Sequence, residues 1–103
     1  MSLKKKKIRE NFRNAVFSRD GYKCVFCDIT NCLDAHHITD RNELPNGGYV
    51  KENGITLCPE HHVLAEIWHE TNGELFEDGF TPTDLYLKIN SSLEQAMIAS
   101  NKL

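Results

Sequence analysis

The sequence predicts a small α+β domain, with two short strands, a central helix and a helix at each end. Three observations predict it. The chain has 103 residues, 40% of them hydrophobic and 26% charged, which gives room for one domain with a modest core. Apolar residues recur at helical spacing in three separated stretches, and two short β-type runs lie between the first and the second. Finally, two spaced pairs of Cys and His residues flank those β-type runs, so that one small ion can staple the core.

Ile8, Phe12 and Val16 recur every four residues, which predicts a basic N-terminal helix over residues 4–18. Asp20-Gly21 ends it in a turn. A knuckle follows, then a strand near Leu33–Ile38. Residues 40–54 have loop composition, and a second strand fits Ile55–Leu57. Pro59 suits the first turn of a helix running to Glu70. At about 100° per residue, His62, Glu66 and His69 share one polar stripe of that helix. Val63, Leu64, Ala65, Ile67 and Trp68 fill an apolar arc, and His61 sits at its edge, on the core side. Thr81-Pro82-Thr83-Asp84 reads as the capped start of a last helix, about 82–99, with Leu85, Ile89, Leu93 and Met97 as its packing stripe. The whole reads as one domain, 1–103, with its core at about 12–69.

Charge is uneven along the chain. Residues 1–23 carry eight basic and two acidic residues, net +6, whereas 24–103 carry four and thirteen, net −9. Lys4, Lys5, Lys6, Lys7, Arg9 and Arg13 thus form a basic arm on an acidic body. It reads either as a solvated terminus or as a contact for a polyanion. No apolar run approaches the ~18 residues that a membrane helix needs, and no apolar segment follows the basic start as in an export signal. The expected compartment is the reducing cytoplasm, where clustered Cys and His more often bind metal than form disulfides.

Cys24-x2-Cys27 and Cys58-x2-His61, about thirty residues apart, have the spacing of a tetrahedral zinc site. His61 on the core side suits a closed structural site. Cys32 is read as an ordinary thiol. A free thiol group and a redox pair are the rivals, but no thioredoxin-like pattern surrounds the cysteines. His36 and His37 are neighbours in the first strand, so their rings face opposite sides unless the strand twists or ends there.

Cys24-x2-Cys27, Asp34-Ala35-His36-His37-Ile38, and Asn53-Gly54-Ile55-Thr56-Leu57-Cys58-Pro59-Glu60-His61-His62 occur in order. This arrangement resembles the zinc-stapled branch of the HNH endonuclease family over roughly residues 12–69. His61 stands where the family usually has a fourth Cys, and Glu66 where many members have a last His. The resemblance implies a small zinc-stabilised ββα-metal domain with flanking N- and C-terminal helices. It implies His37 as general base, Asn53 as the residue that orients the base or holds the loop, and His36 and His62 as ligands of a catalytic divalent ion. Glu66 is a further candidate ligand. Mn2+, Mg2+, Ni2+ and Zn2+ are the candidate ions.

The chemistry suits those residue types. Phosphodiester hydrolysis needs a base for the attacking water, and an imidazole with an ordinary pKa of about 6.5 serves near neutrality. The expected activity is an endonuclease cutting DNA to 5′-phosphate and 3′-hydroxyl ends, with the basic arm and Arg41 meeting phosphates. The alternative is a non-catalytic Cys3His zinc module that binds nucleic acid or protein.

Overall fold

The computed structural model describes residues 3–103. The elements are α1 (Leu3–Arg19), β1 (Asp34–His37), β2 (Gly54–Leu57), α2 (Pro59–Glu70), α3 (Pro82–Lys88) and α4 (Leu93–Asn101), with three 3-10 turns, Arg41–Glu43, Pro45–Gly48 and Lys51–Asn53, between the strands. The two strands pair antiparallel, with Asp34 opposite Leu57, Ala35 opposite Thr56, His36 opposite Ile55 and His37 opposite Gly54. One further bond, from Ile38 N–H to Asn53 O at 2.9 Å, extends the pairing past β1. The radius of gyration is 12.9 Å, close to the ~13 Å of a single 100-residue domain.

Alternation along the strands divides the molecule into layers. His36, Ile38, Ile55 and Leu57 face α2, and the last three join the buried cluster with Ala65, Phe80, Leu85, Tyr86 and Ala96. Ala35, His37, Gly54 and Thr56 face α1, from which Phe12 and Val16 are buried against the sheet. Gly54 permits this close approach. A Cβ there would lie 2.4 Å from Val16 Cγ2 and 2.8 Å from the Phe12 ring. The outer edge of β2 is also covered. Asp20 Oδ2 accepts from Thr56 N–H at 2.9 Å, Val25 N–H donates to Thr56 O, and Arg19 donates to Gly54 O and Lys51 O.

α2 spans the residues that its periodicity predicts, but Val63 is 65% exposed and only Ala65 of its apolar arc is fully buried. The C-terminal segment departs further from expectation. Instead of one helix over about 82–99 there are two, separated at Asn90, whose φ is +56°. Asn90-Ser91-Ser92 holds residues that favour turns and caps over helix interiors, and Ser92 caps α4 by accepting from Gln95 N–H at 3.1 Å. The break reorients the stripe. Leu85 is buried, but Leu93 and Met97 are exposed, and α4 presents Ala96 and Ser100 inward instead. No helix among the described residues is long and apolar enough to cross a membrane.

Gly54→Ala is expected to lower the unfolding free energy by about 1–3 kcal/mol through overpacking against α1. A wild-type midpoint in chemical denaturation would contradict the seating of Phe12 and Val16 described above.

Candidate metal centres

The knuckle brings the first two cysteines together. Cys24 N–H donates to Ile29 O at 2.9 Å and Asp28 N–H to Cys24 O at 3.0 Å, with Asp28 in the left-handed region at φ +63°. Cys58 follows β2 directly as the N-cap of α2, and His61 lies one helical turn later. The four ligand atoms converge. Cys27 and Cys58 Sγ are 3.6 Å apart, Cys24 Sγ and His61 Nδ1 3.7 Å, and Cys58 Sγ and His61 Nδ1 3.2 Å. All lie within 4.8 Å of one another. A disulfide would need about 2.05 Å, whereas a tetrahedral ion with ~2.3 Å metal–sulfur bonds spaces its sulfurs by about 3.8 Å. Phe26 and Phe80 stack on His61 at 5.4 and 5.9 Å between centroids and fix its ring. Cys32 is exposed and stands outside the cluster.

Electrostatics favours a cation at this point. For Cys27 the Ile29 backbone N–H favours the thiolate, but desolvation and the Cys58 and Cys24 sulfurs outweigh it and push the thiol up to about 11. For Cys24, burial opposes ionisation, yet backbone N–H groups of Cys58, Phe26 and Cys27 outweigh it and lower the thiol. A positive ion among the sulfurs would stabilise the thiolate forms that ligation requires. The donor set fits zinc.

A second cluster lies on the other side of α2. His36 Nδ1 is 3.2 Å from Glu66 Oε1, and His62 Nε2 is 3.1 Å from the same oxygen. Asp34 Oδ2 reaches His62 Nε2 at 3.3 Å. His36, from β1, is 3% exposed and its Nε2 has no partner. Burial lowers the His36 pKa, which the Glu66 contact opposes without reversing. Glu66 is held down at about 2, first by its bond with His36, which outweighs the opposing desolvation, and then by the proximity of His36, His62 and His69. An ionised carboxylate between two imidazoles is a donor set for a divalent ion such as Mn2+ or Zn2+.

His37 takes the opposite face of β1. Its ring stacks on Phe12 at 4.5 Å and meets Tyr49 edge-on at 4.7 Å. Burial, then His36 and Arg41, push its pKa down to about 4, so the ordinary imidazole value does not hold and the ring is neutral across the physiological range. Nevertheless His36, His37, His62 and Glu66 line one open cleft of about 270 Å³, together with Asp34, Arg41 and His69. Two grooves continue it. One, of about 360 Å³, runs beside His37 and is lined by Arg9, Arg13, Arg41 and Tyr49. The other, of about 730 Å³, includes Lys5, Arg9, Arg41 and Asn46. Lys4, Lys6 and Lys7 are exposed on α1 outside these three depressions.

Asn53 is fully buried and touches neither cluster. Its Nδ2 donates to Thr39 O and Gly48 O, and its Oδ1 accepts from Thr39 N–H and the Tyr86 hydroxyl. Of its two expected roles, these bonds describe loop holding, with no contact to the His37 ring.

Several site residues escape sequence reasoning. Asp34 is part of the motif, and period-two alternation from His36 would have placed it on the same face. His69, by contrast, is already on the polar stripe that the sequence predicts for α2, and its ring lies 5.3 Å from that of His36. Phe12 and Tyr49 carry no local signal, because their meeting with His37 depends on tertiary packing. Comparison with protein-family models, with curated proteins and with solved structures finds no match.

Purified protein is expected to carry about one tightly held zinc per chain, with Cys58→Ser lowering that content. Metal removal by a chelator should unfold the domain cooperatively, since metal-binding energy is folding energy. An unchanged thermal melt after complete stripping would contradict the assignment.

Proposed function

We propose that the protein is a metal-dependent endonuclease of the HNH type that hydrolyses DNA phosphodiester bonds. The observation that carries this reading is the shared cleft. A His36–His62–Glu66 cluster, with His36 buried and the other two half-buried, and a neutral His37 open into one depression, and Arg9, Arg13 and Arg41 line its continuation. The resemblance in the sequence supports the same roles for the same residues.

In this reading His37 removes the proton from the attacking water, for which its uncharged state is required. The three arginines hold the flanking phosphates of the strand, and Lys5 lies in the continuing groove. His36, His62 and Glu66 would hold the divalent ion, which when bound stabilises charge on the phosphate and the leaving 3′ oxygen. Asn53 acts through the backbone, holding Thr39 two residues beyond the base. Products would carry 5′-phosphate and 3′-hydroxyl ends. A zinc module that binds without cleaving gives the convergence of His36, His62 and Glu66 no joint task.

Plasmid nicking tests the assignment. His37→Ala is expected to lower the rate by about 100-fold or more while the variant keeps its zinc and fold. His62→Ala should lose activity and also weaken binding of a second metal ion. Wild-type cleavage by either variant would overturn these roles.

Metal preference gives an independent check. With two imidazoles and one carboxylate, Mn2+ should activate at least as well as Mg2+. Glu66→Ala should shift the ratio of Mg2+- to Ni2+-supported activity toward Ni2+. Activity with Mg2+ alone would contradict a site built on His36 and His62.

A further inference from the structure

Nothing polar orients His37 at its buried nitrogen. Nε2 is inaccessible and has no hydrogen-bond partner. A general base must nonetheless present one ring edge in one direction, because a misplacement of about 1 Å can cost ~100-fold in rate. The ring is instead held by other rings. Phe12 lies against one face of it at 4.5 Å and 27°, and Tyr49 stands against it at 4.7 Å and 89°. Phe12 and Tyr49 also meet each other edge to face, at 5.7 Å and 89°. Edge-to-face contact is the favoured geometry for aromatic pairs, so each ring limits the rotation of the other two.

Tyr49 is itself held in place. Gly47 lies directly behind its ring at φ +81°, and a Cβ there would come within 2.8 Å of Tyr49 Cε2. The tyrosine hydroxyl accepts from Arg41 Nη1 at 3.1 Å, and the Arg9 guanidinium lies 6.0 Å from the ring centroid. One side chain therefore touches His37 with its ring and a groove-lining cation with its hydroxyl.

We propose that Tyr49 is a positioning residue of the cleft, its ring holding the His37 imidazole in its working orientation and its hydroxyl holding Arg41 toward the phosphate strand. This rests on the nuclease reading. Ring and hydroxyl carry separable tasks, so two substitutions separate them. Tyr49→Phe keeps the ring and loses the hydroxyl, whereas Tyr49→Ala loses both.

The experiment measures kcat and KM for plasmid nicking with Mn2+, together with zinc content and the thermal melt of each variant. Tyr49→Ala should retain zinc and lower kcat by about 10- to 100-fold. Tyr49→Phe should restore kcat to within a few-fold of wild type but raise KM, because Arg41 is no longer held. Where Tyr49→Ala fails to retain zinc, Tyr49→Leu, which fills the space without an aromatic edge, takes its place with the same expectation. Wild-type kcat in the ringless variant, or a kcat in Tyr49→Phe as low as in Tyr49→Ala, would overturn the proposal. NMR of the His37 Cε1–H signal decides the clamp without any turnover. The Phe12 and Tyr49 rings should displace this signal from its free-imidazole position in wild type and in Tyr49→Phe, and it should shift when the Tyr49 ring is removed in the ringless variant. A signal that does not move overturns the clamp. A wild-type chain that shows the shifted signal yet nicks no DNA overturns the nuclease reading alone.

Discussion

One buried amide connects the parts of this domain that matter for the cleft. Asn53 makes four side-chain hydrogen bonds, to both backbone groups of Thr39, to Gly48 O and to the Tyr86 hydroxyl. Each buried polar group left without a partner costs about 1–3 kcal/mol. An aspartate could not donate to the two carbonyls, and an alanine would orphan three backbone groups at once, Thr39 N–H, Thr39 O and Gly48 O. The bonds hold the chain where β1 ends, two residues after His37. They also fix the turns that carry Arg41 and Tyr49, and they bring α3 in through Tyr86, whose hydroxyl also pairs with Thr39 Oγ1 at 2.6 Å. Gly48 is at φ +64°, and a Cβ on it would lie 2.8 Å from Asn53 Nδ2, so the amide and the glycine require each other.

Around that hub the architecture is slight. Two strands of four residues are not stable alone in water. Helices cover both faces, the Arg19–Asp20 pair and the knuckle cover the outer edge of β2, and the Cys3His cluster links the knuckle to the start of α2. That cluster adds a staple to a modest core. α2 itself places His61 in one candidate metal site and His62 in the other.

How much of this is legible in the sequence depends on the range of the interaction. α2 is legible to the residue, because Pro59 and the stripe of His62, Glu66 and His69 act within one helix. The Cys3His cluster is legible because its x2 spacings are local and only the meeting of the two pairs is long-range. The last helix misleads because Leu85, Ile89, Leu93 and Met97 keep helical period straight across Asn90-Ser91-Ser92, and there the turn and cap preferences win. The lowered pKa of His37 and its contacts with Phe12 and Tyr49 were not legible. The contacts come from residues 25 and 12 positions away, with nothing in their local pattern to mark them, and the pKa is lowered first by a burial that only the tertiary fold creates, then by His36 and Arg41.

Adjacent histidines on a strand point to opposite faces, yet His36 and His37 line one cleft. The two-stranded sheet resolves the conflict. β2 has its outer edge occupied by the knuckle, Asp20 and Arg19, so the free edge of the sheet belongs to β1. A depression that touches both faces of β1 has to pass round that edge or its end at His37. A third strand paired to β1 would separate the two rings. The smallness of the sheet is thus a requirement of the site as well as a limit of chain length. An open edge invites pairing with other chains, and charge opposes it here. Asp34 and Asp40 stand with Arg9, Arg13 and Arg41 around the same stretch. Those cations also reconcile a net charge of −3 with the polyanionic partner that the proposed function requires. The field that a strand would meet is set by the few groups within a Debye length of about 8–10 Å, and beside His37 three of those groups are arginines.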